Sequence, residues 1–134
     1  MIRRGSEQTV ERQPLGTFAL SSDLLGHVSL APESCSAGDR QFFLGADLAD
    51  NKNSIVVRLV VDPLDGPAVR VFNAAKPFDQ TRVFRWRDCR VFHFSLDSTA
   101  WRINGVQDYG VSLELDCARE GDSIIGHASD EHCH

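Results

Sequence analysis

VSLELDC, residues 111–117, alternates apolar and polar side chains, and CRVFHFSL, residues 89–96, largely repeats that alternation. A β-strand points successive side chains to opposite faces, so this spacing turns one apolar row toward a core and the other row toward solvent or a second layer. IVVRLVV, residues 55–61, is a third stretch of β-branched character. The two-residue period therefore predicts a protein built from strands.

The alternation of side chains along these strands predicts which residues point into the core. Inward rows come from Ile55, Val57, Leu59 and Val61, from Phe84 and Trp86, from Phe92, Phe94 and Leu96, and from Val111, Leu113 and Leu115. Val56 and Val60 are apolar on the supposed outer side. They indicate either a central strand that is covered on both faces, which is the more usual case, or a surface for a partner.

Turn residues separate short apolar segments at intervals of roughly 8 to 12 residues, which is typical of an antiparallel sandwich or barrel. The candidate strands are 17–20, 27–31, 41–48, 54–62, 68–72, 82–86, 90–96, 101–106, 111–117 and 123–129. The sequence predicts an all-β, antiparallel two-layer β-sandwich, immunoglobulin-like or jelly-roll-like, with about 8 to 9 short strands. We expect residues 15–134 to form this single domain and residues 1–14 to be a flexible lead-in.

Length and charge limit the function. A chain of 134 residues is long enough for one domain with a two-layer core. The formal net charge of -5 argues against an electrostatic nucleic-acid binder, which needs a basic face. No stretch approaches the roughly 20 apolar residues of a membrane span, so we expect none. The polar first residues lack the apolar stretch of a signal peptide, so an exported protein would have its leader absent from this chain.

The four cysteines, Cys35, Cys89, Cys117 and Cys133, include no CxxC pair, which disfavours a thioredoxin-like redox motif and a zinc ribbon. An even number in a modest domain favours disulfides and an oxidising compartment. Four reduced thiols in a cytosolic protein are the alternative. Of the three connectivities, we prefer Cys35 with Cys133, which ties the ends of the domain together, and Cys89 with Cys117, which links two core strands.

The C-terminal tail HASDEHCH, residues 127–134, gathers groups that bind transition metals. His127, His132 and His134 are the candidate ligands, with zinc as the expected ion. On an extended strand His132 and His134 share a face, whereas Cys133 points away and cannot serve both a disulfide and a metal. A stapled or fraying terminus is the simpler alternative.

Two acidic loops suggest a calcium site. Asp47, Asp50 and Asn51 lie in one loop, and Asp62 and Asp65 lie in another. If the loops meet at one end of the sandwich, their oxygens could bind calcium and create a carbohydrate-binding rim. Turns require the same residue types without any metal.

Trp101 and Tyr109 lie near predicted loops, each beside polar residues. Exposed aromatic side chains there could stack on a sugar or anchor a protein, although aromatics near strand starts are commonly buried. His93, between Phe92 and Phe94, is interpreted as a partly exposed sheet residue rather than a catalytic base.

The sequence contains no phosphate loop, GxSxG, HExxH or dinucleotide motif, so an enzyme is not favoured. The chain resembles small exported bacterial β-sandwich domains and lipoprotein ectodomains at the level of class alone. We expect a non-catalytic extracytoplasmic domain, periplasmic, secreted or surface-anchored, that acts as an adhesion or binding module for a protein or carbohydrate and needs no cofactor. The alternatives are a metal-dependent enzyme or metal-binding protein that uses the C-terminal His/Cys cluster, and a calcium-assisted carbohydrate-binding module.

Overall fold

Ten β-strands make up almost all of the regular structure in the computed structural model, which describes residues 14–40, 43–76, 80–103 and 106–133. Within these ranges, only the backbone is described for 38–40, 43, 98–103 and 106–108. The strands are β1 (Gly16–Ser22), β2 (Gly26–Leu30), β3 (Ser34–Arg40), β4 (Phe43–Asp50), β5 (Ile55–Asp62), β6 (Gly66–Asn73), β7 (Thr81–Arg85), β8 (Cys89–Ile103), β9 (Val106–Arg119) and β10 (Asp122–Cys133).

The strands form two antiparallel five-stranded sheets, which confirms the predicted all-β sandwich. Sheet I has the order β2-β1-β10-β9-β8, so the N-terminal hairpin pairs with the C-terminal strand. Sheet II has the order β3-β4-β5-β6-β7 and is a simple meander. The chain therefore crosses between the sheets after β2 and again after β7, where a single 3₁₀ turn, Trp86–Asp88, precedes β8.

Alternate side chains from both sheets fill the space between the layers, as the two-residue period requires. Sheet I contributes Phe18, Leu20, Leu30, Leu113, Leu115, Cys117, Ile124 and Ala128, and sheet II contributes Leu48, Ile55, Val57, Leu59, Val69, Val71 and Phe84. The predicted inward row of β5 lies in this core, with Val61 half-buried against it. From the predicted β9 row, Leu113 and Leu115 lie in the same core, whereas Val111 is buried in a smaller cluster with Ala37, Ala46 and Cys133. Each large buried side chain contributes about 1.5 to 3 kcal/mol, so these rows dominate the stability of the fold.

Two aromatic side chains that we predicted in the core from the alternation pattern are exposed. Trp86 is 48% exposed because β7 ends at Arg85, and the alternation stops where the 3₁₀ turn begins. Phe94 is 37% exposed because β8 is an edge strand, which the opposite sheet covers incompletely.

The structure has ten strands rather than eight or nine, and three of them are long. β3 was not predicted, because Ser34–Arg40 has few large apolar residues to create an alternating signal. The predicted strand at 90–96 and residues 101–103 of the predicted strand at 101–106 lie in one strand, β8, whereas Val106 begins β9. A register shift between Ser98 and Arg102 marks where the sequence suggested a break.

Two disulfides cross-link the sandwich, and they are the two pairings that we preferred from the sequence. Cys35 on β3 bonds to Cys133 on β10, so this bridge joins sheet II to sheet I. Cys89 on β8 bonds to Cys117 on β9, its direct cross-strand neighbour within sheet I. One bridge therefore holds the layers together, and the other fixes an edge strand.

We predict that Leu113→Asp unfolds the domain, because Leu113 is 1% exposed and an unpaired carboxylate in this core has no partner. Leu113→Ala should cost about 2 to 5 kcal/mol. Urea unfolding followed by circular dichroism measures both effects. Ile125→Asp is the matched control, since Ile125 is 52% exposed on the outer side of the same sheet. A stable, cooperatively folded Leu113→Asp variant would contradict the core described above.

The longer-range disulfide should stabilise the protein more. The bridges span 98 and 28 residues. From loop-closure entropy we expect losses of about 4 to 5 kcal/mol for the Cys35→Ser/Cys133→Ser pair and about 3 to 4 kcal/mol for the Cys89→Ser/Cys117→Ser pair. Urea unfolding of each double variant and of the wild type measures the two losses in the free energy of unfolding. Equal losses, or a larger loss for the Cys89→Ser/Cys117→Ser pair, would show that chain entropy does not govern the contribution of these bridges.

Candidate functional site

The outer surface of sheet II is the candidate site, and we call it the sheet II face. Its residues come from four neighbouring strands and point away from the core: Asp47, Val56, Arg58, Val60, Ala68, Arg70, Phe72 and Val83. Cross-strand pairing aligns Asp47, Arg58, Arg70 and Val83 in one row across the sheet. The face thus combines guanidinium groups with aliphatic side chains.

Arg58 is fixed at the centre of the sheet II face. Its guanidinium donates two hydrogen bonds to Asp47, from Nε to Oδ1 at 2.7 Å and from Nη2 to Oδ2 at 3.0 Å. The bond with Asp47 raises the pKa of Arg58 against the opposing effect of burial. Arg58 also lies over the ring of Phe72, with 5.0 Å between Cζ and the ring centroid. Phe72 is therefore only 8% exposed although it points outward.

Arg70 has a different environment from Arg58. It is exposed, and among the described residues no carboxylate pairs with it. Arg70 lines two neighbouring depressions of about 440 and 110 Å³, so its guanidinium lies between two concave parts of the same face. An exposed guanidinium in this position can bind an oxyanion in a bidentate manner.

Val56 and Val60 decide between the two interpretations of the outward β5 row. Both are half-exposed on the central strand of sheet II, and no described part of the chain forms a further layer over them. In the described part of the chain, the row is therefore a half-exposed outer surface and not the second covered face of a central strand.

Trp86 gives a large exposed aromatic group beyond the end of β7. Its indole lies against Gly66, where a Cβ atom would come within 2.9 Å of Nε1. Gly66 has φ +82, so both its conformation and its contact with the indole favour glycine. Arg87 lies 5.6 Å from the Trp86 ring centroid. The sequence suggested binding aromatics but placed Trp86 in the core.

Of the two predicted aromatic binding residues, the structure describes the side chain of Tyr109, which does not belong to the sheet II face. Tyr109 lies within β9, half-buried, and packs against the small cluster of Ala37, Ala46, Val111 and Cys133. It therefore supports the disulfide-linked end of the sandwich instead of extending from a loop. The side chain of Trp101 lies outside the described residues.

The structure separates the two predicted calcium loops. Asp50 is the last residue of β4 and Asn51 follows it at one end of β5, whereas Asp62 and Asp65 lie at the other end, about 23 Å away over roughly seven strand steps. Asp62 Oδ1 accepts hydrogen bonds from the N–H groups of Leu64 and Asp65. The backbone hydrogen bond from Asp65, followed by that from Leu64, lowers the pKa of Asp62. The carboxylate therefore closes a turn.

Asp50 is also occupied within the fold. Asp50 is 3% exposed, and its carboxylate accepts hydrogen bonds from Ala31 N at 2.9 Å and from the backbone and side-chain nitrogens of Asn53. Burial tends to raise its pKa, but the hydrogen bonds outweigh this effect and lower it. Asp50 thus connects the crossing after β2 to the turn after β4.

The structure describes two of the three predicted metal residues of the tail, His127 and His132. His127 and His132 are both exposed on β10, but they lie five residues apart, with a register shift between Asp130 and Cys133. His134 lies outside the described residues. Among the described residues, Cys35, Asp130 and Cys133 are the group of three potential metal ligands whose ligand atoms all lie within 4.8 Å of one another, and both sulfurs belong to a disulfide.

Sequence reasoning did not select Arg58 or Arg70 as site residues. Arg58 interrupts an apolar run, which is a visible signal. The pairing of Arg58 with Asp47 and its alignment with Arg70 depend on the register of β4, β5 and β6, which the sequence does not encode locally.

Comparison with known proteins found no matching family model, no matching curated protein and no matching solved structure. Across the described ranges, the structure has no helix with the length and apolar character needed to cross a bilayer.

We predict a pH-dependent role for Asp50 in stability. A carboxyl whose pKa is lower in the folded protein stabilises the fold fully above its unfolded value, here about 3.8, and this contribution is lost as the pH falls through the lower folded value. The stability difference between wild type and Asp50→Asn should therefore shrink on acidification.

Urea unfolding at a series of pH values from about 6 to about 2.5 measures this difference. Asp65→Asn is the control, because Asp65 is an exposed turn carboxyl on the same sheet. A difference for Asp50→Asn that stays constant across the series would contradict the role of its hydrogen bonds.

Proposed function

We propose that this protein is a non-catalytic, extracytoplasmic binding module whose sheet II face binds an acidic surface of a partner protein. The observation that carries the proposal is the exposed Arg70, which has no described carboxylate partner and lies between two depressions beside half-exposed valines. The two disulfides support an oxidising location, whether periplasmic, secreted or surface-anchored.

The composition of the sheet II face fits a protein partner. Protein interfaces are enriched in arginine and aromatic residues and combine apolar contact area with a few directed polar groups. Val56, Val60 and Val83 supply aliphatic area, and the Asp47–Arg58 pair presents a rigid polar centre. A fixed pair loses little side-chain entropy when a partner binds.

Arg70 determines the charge that we expect on the partner. The formal charge of the whole chain is -5, so an acidic partner is repelled by most of this protein and must be recognised locally. Since Asp47 neutralises Arg58, Arg70 is the cation that remains available in the central row. A carboxylate that docks between the two depressions would form a charge-assisted pair with it.

A carbohydrate ligand fits this face less well. Sugar binding commonly depends on an exposed aromatic ring for stacking, and the outward ring at the centre of the face, Phe72, is covered by Arg58. The calcium-assisted version also requires oxygen ligands that converge, whereas the acidic loops lie at opposite ends of β5.

We predict that a photo-cross-linking amino acid at Val60, introduced in the organism that produces the protein, yields a discrete protein adduct. Arg70→Glu should reduce that adduct at least about tenfold, since a charge reversal replaces attraction with repulsion at the contact. Raising the salt concentration should also weaken it. Gel electrophoresis and mass spectrometry measure the yield.

Two matched controls limit this experiment to the sheet II face. The same cross-linker at Ile125, on the outer side of sheet I, should give no such adduct. Arg119→Glu, a charge reversal at an exposed arginine of β9, should leave the Val60 adduct intact. Equal yields from both cross-linker positions, or an adduct that Arg70→Glu does not change, would exclude this face as the binding site.

A further inference from the structure

We propose that the outer face of sheet I holds a divalent transition metal of the zinc class through His93, Glu114 and His127. These residues lie on three adjacent strands, β8, β9 and β10. This set differs from the C-terminal cluster suggested by the sequence, with which it shares only His127. It also lies on the opposite side of the sandwich from the sheet II face, so the two proposals are independent.

Strand register creates the set. His93 pairs directly with Glu114 across β8 and β9, and Glu114 pairs directly with His127 across β9 and β10. Directly opposed residues of antiparallel strands point to the same side, and all three are exposed. Glu114 therefore has an imidazole on each side, at one strand spacing of roughly 4.8 Å.

The first two groups already have the separation that a metal requires. His93 Nδ1 lies 3.3 Å from Glu114 Oε1, which is long for a hydrogen bond to a carboxylate. Two ligands that each lie 2.0 to 2.1 Å from a tetrahedral zinc ion are about 3.3 to 3.4 Å apart. Both atoms can thus be ligands of one ion without moving either strand, in the tautomer of His93 that carries no proton on Nδ1.

His127 completes the set. No described residue forms a hydrogen bond or ion pair with its imidazole, so the ring is free to turn toward Glu114. The space for this movement exists, because a shallow depression of about 390 Å³ is lined by His93, Ser112, Glu114, His127 and Ser129. The side chains at both ends of the row thus border one concavity.

The chemistry of these ligands selects the ion. Two imidazoles and one carboxylate suit zinc, and also copper or nickel, whereas calcium and magnesium prefer oxygen ligands alone. Three protein ligands leave at least one coordination position open to solvent or to a group on another molecule. The disulfides keep all four cysteines of the chain out of competition for the ion.

Isothermal titration of the tag-free, oxidised protein with ZnCl₂ tests the proposal. We expect one ion per chain, and an increase in Tm when zinc is present, since an ion that binds only the folded state stabilises it. His93→Ala, Glu114→Gln and His127→Ala should each weaken zinc binding by at least about tenfold. Circular dichroism should show that these variants keep the wild-type fold, because all three side chains are exposed.

Two other exposed histidines provide matched controls. His27, on the β1–β2 hairpin of the same sheet, bonds to Ser21 at 2.8 Å, and His132 lies near the end of β10. His27→Ala and His132→Ala should retain the wild-type affinity and stoichiometry. The proposal is overturned if wild-type protein does not bind zinc more tightly than about 1 mM, or if binding survives in the His93→Ala/His127→Ala double variant.

Discussion

The burial of alternate side chains between two five-stranded sheets is the constraint on which the rest of this structure depends. Each strand must turn one row of side chains inward. The side chains of the other row do not pack in the core, so they can be polar, charged or apolar. β5 shows both effects, since Val57 and Leu59 are buried while Arg58 between them forms an ion pair on the surface. Likewise, Leu113 and Leu115 fix Glu114 on the outer side of β9.

Antiparallel pairing then decides which outward groups become neighbours. It joins Asp47 to Arg58 and His93 to Glu114, pairs that are 11 and 21 residues apart in the chain. It also separates groups that look close in sequence, because consecutive turns of a meander lie at opposite ends of the sheet. This geometry explains why the acidic loops before and after β5 cannot share an ion.

The difference between inward and outward rows also explains which parts of the fold could be predicted from the sequence. The inward rows of β5 and β9 were predictable because burial leaves a local, periodic signal. β3 left no such signal, since it is an edge strand held by pairing with β4 and by the Cys35–Cys133 bridge. The prediction that Trp86 lies in the core was wrong because it continued the alternation of β7 past Arg85, where the strand ends. The sites were less predictable than the core, since Arg70 and the histidine–glutamate row acquire their neighbours only through register.

The two outer faces should act independently of each other, and the reason lies in the core that separates them. Coupling between distant sites needs an element with two arrangements that both sites bias. Here Phe84 and Ile124 are among the fully buried side chains that pack between the sheets, and close-packed interiors resist small displacements. The inter-sheet disulfide adds a covalent restraint at the β3–β10 end. Within the described residues, this core offers no hinge through which a ligand proposed for one sheet would alter the other sheet, so each surface can be changed without rebuilding its counterpart.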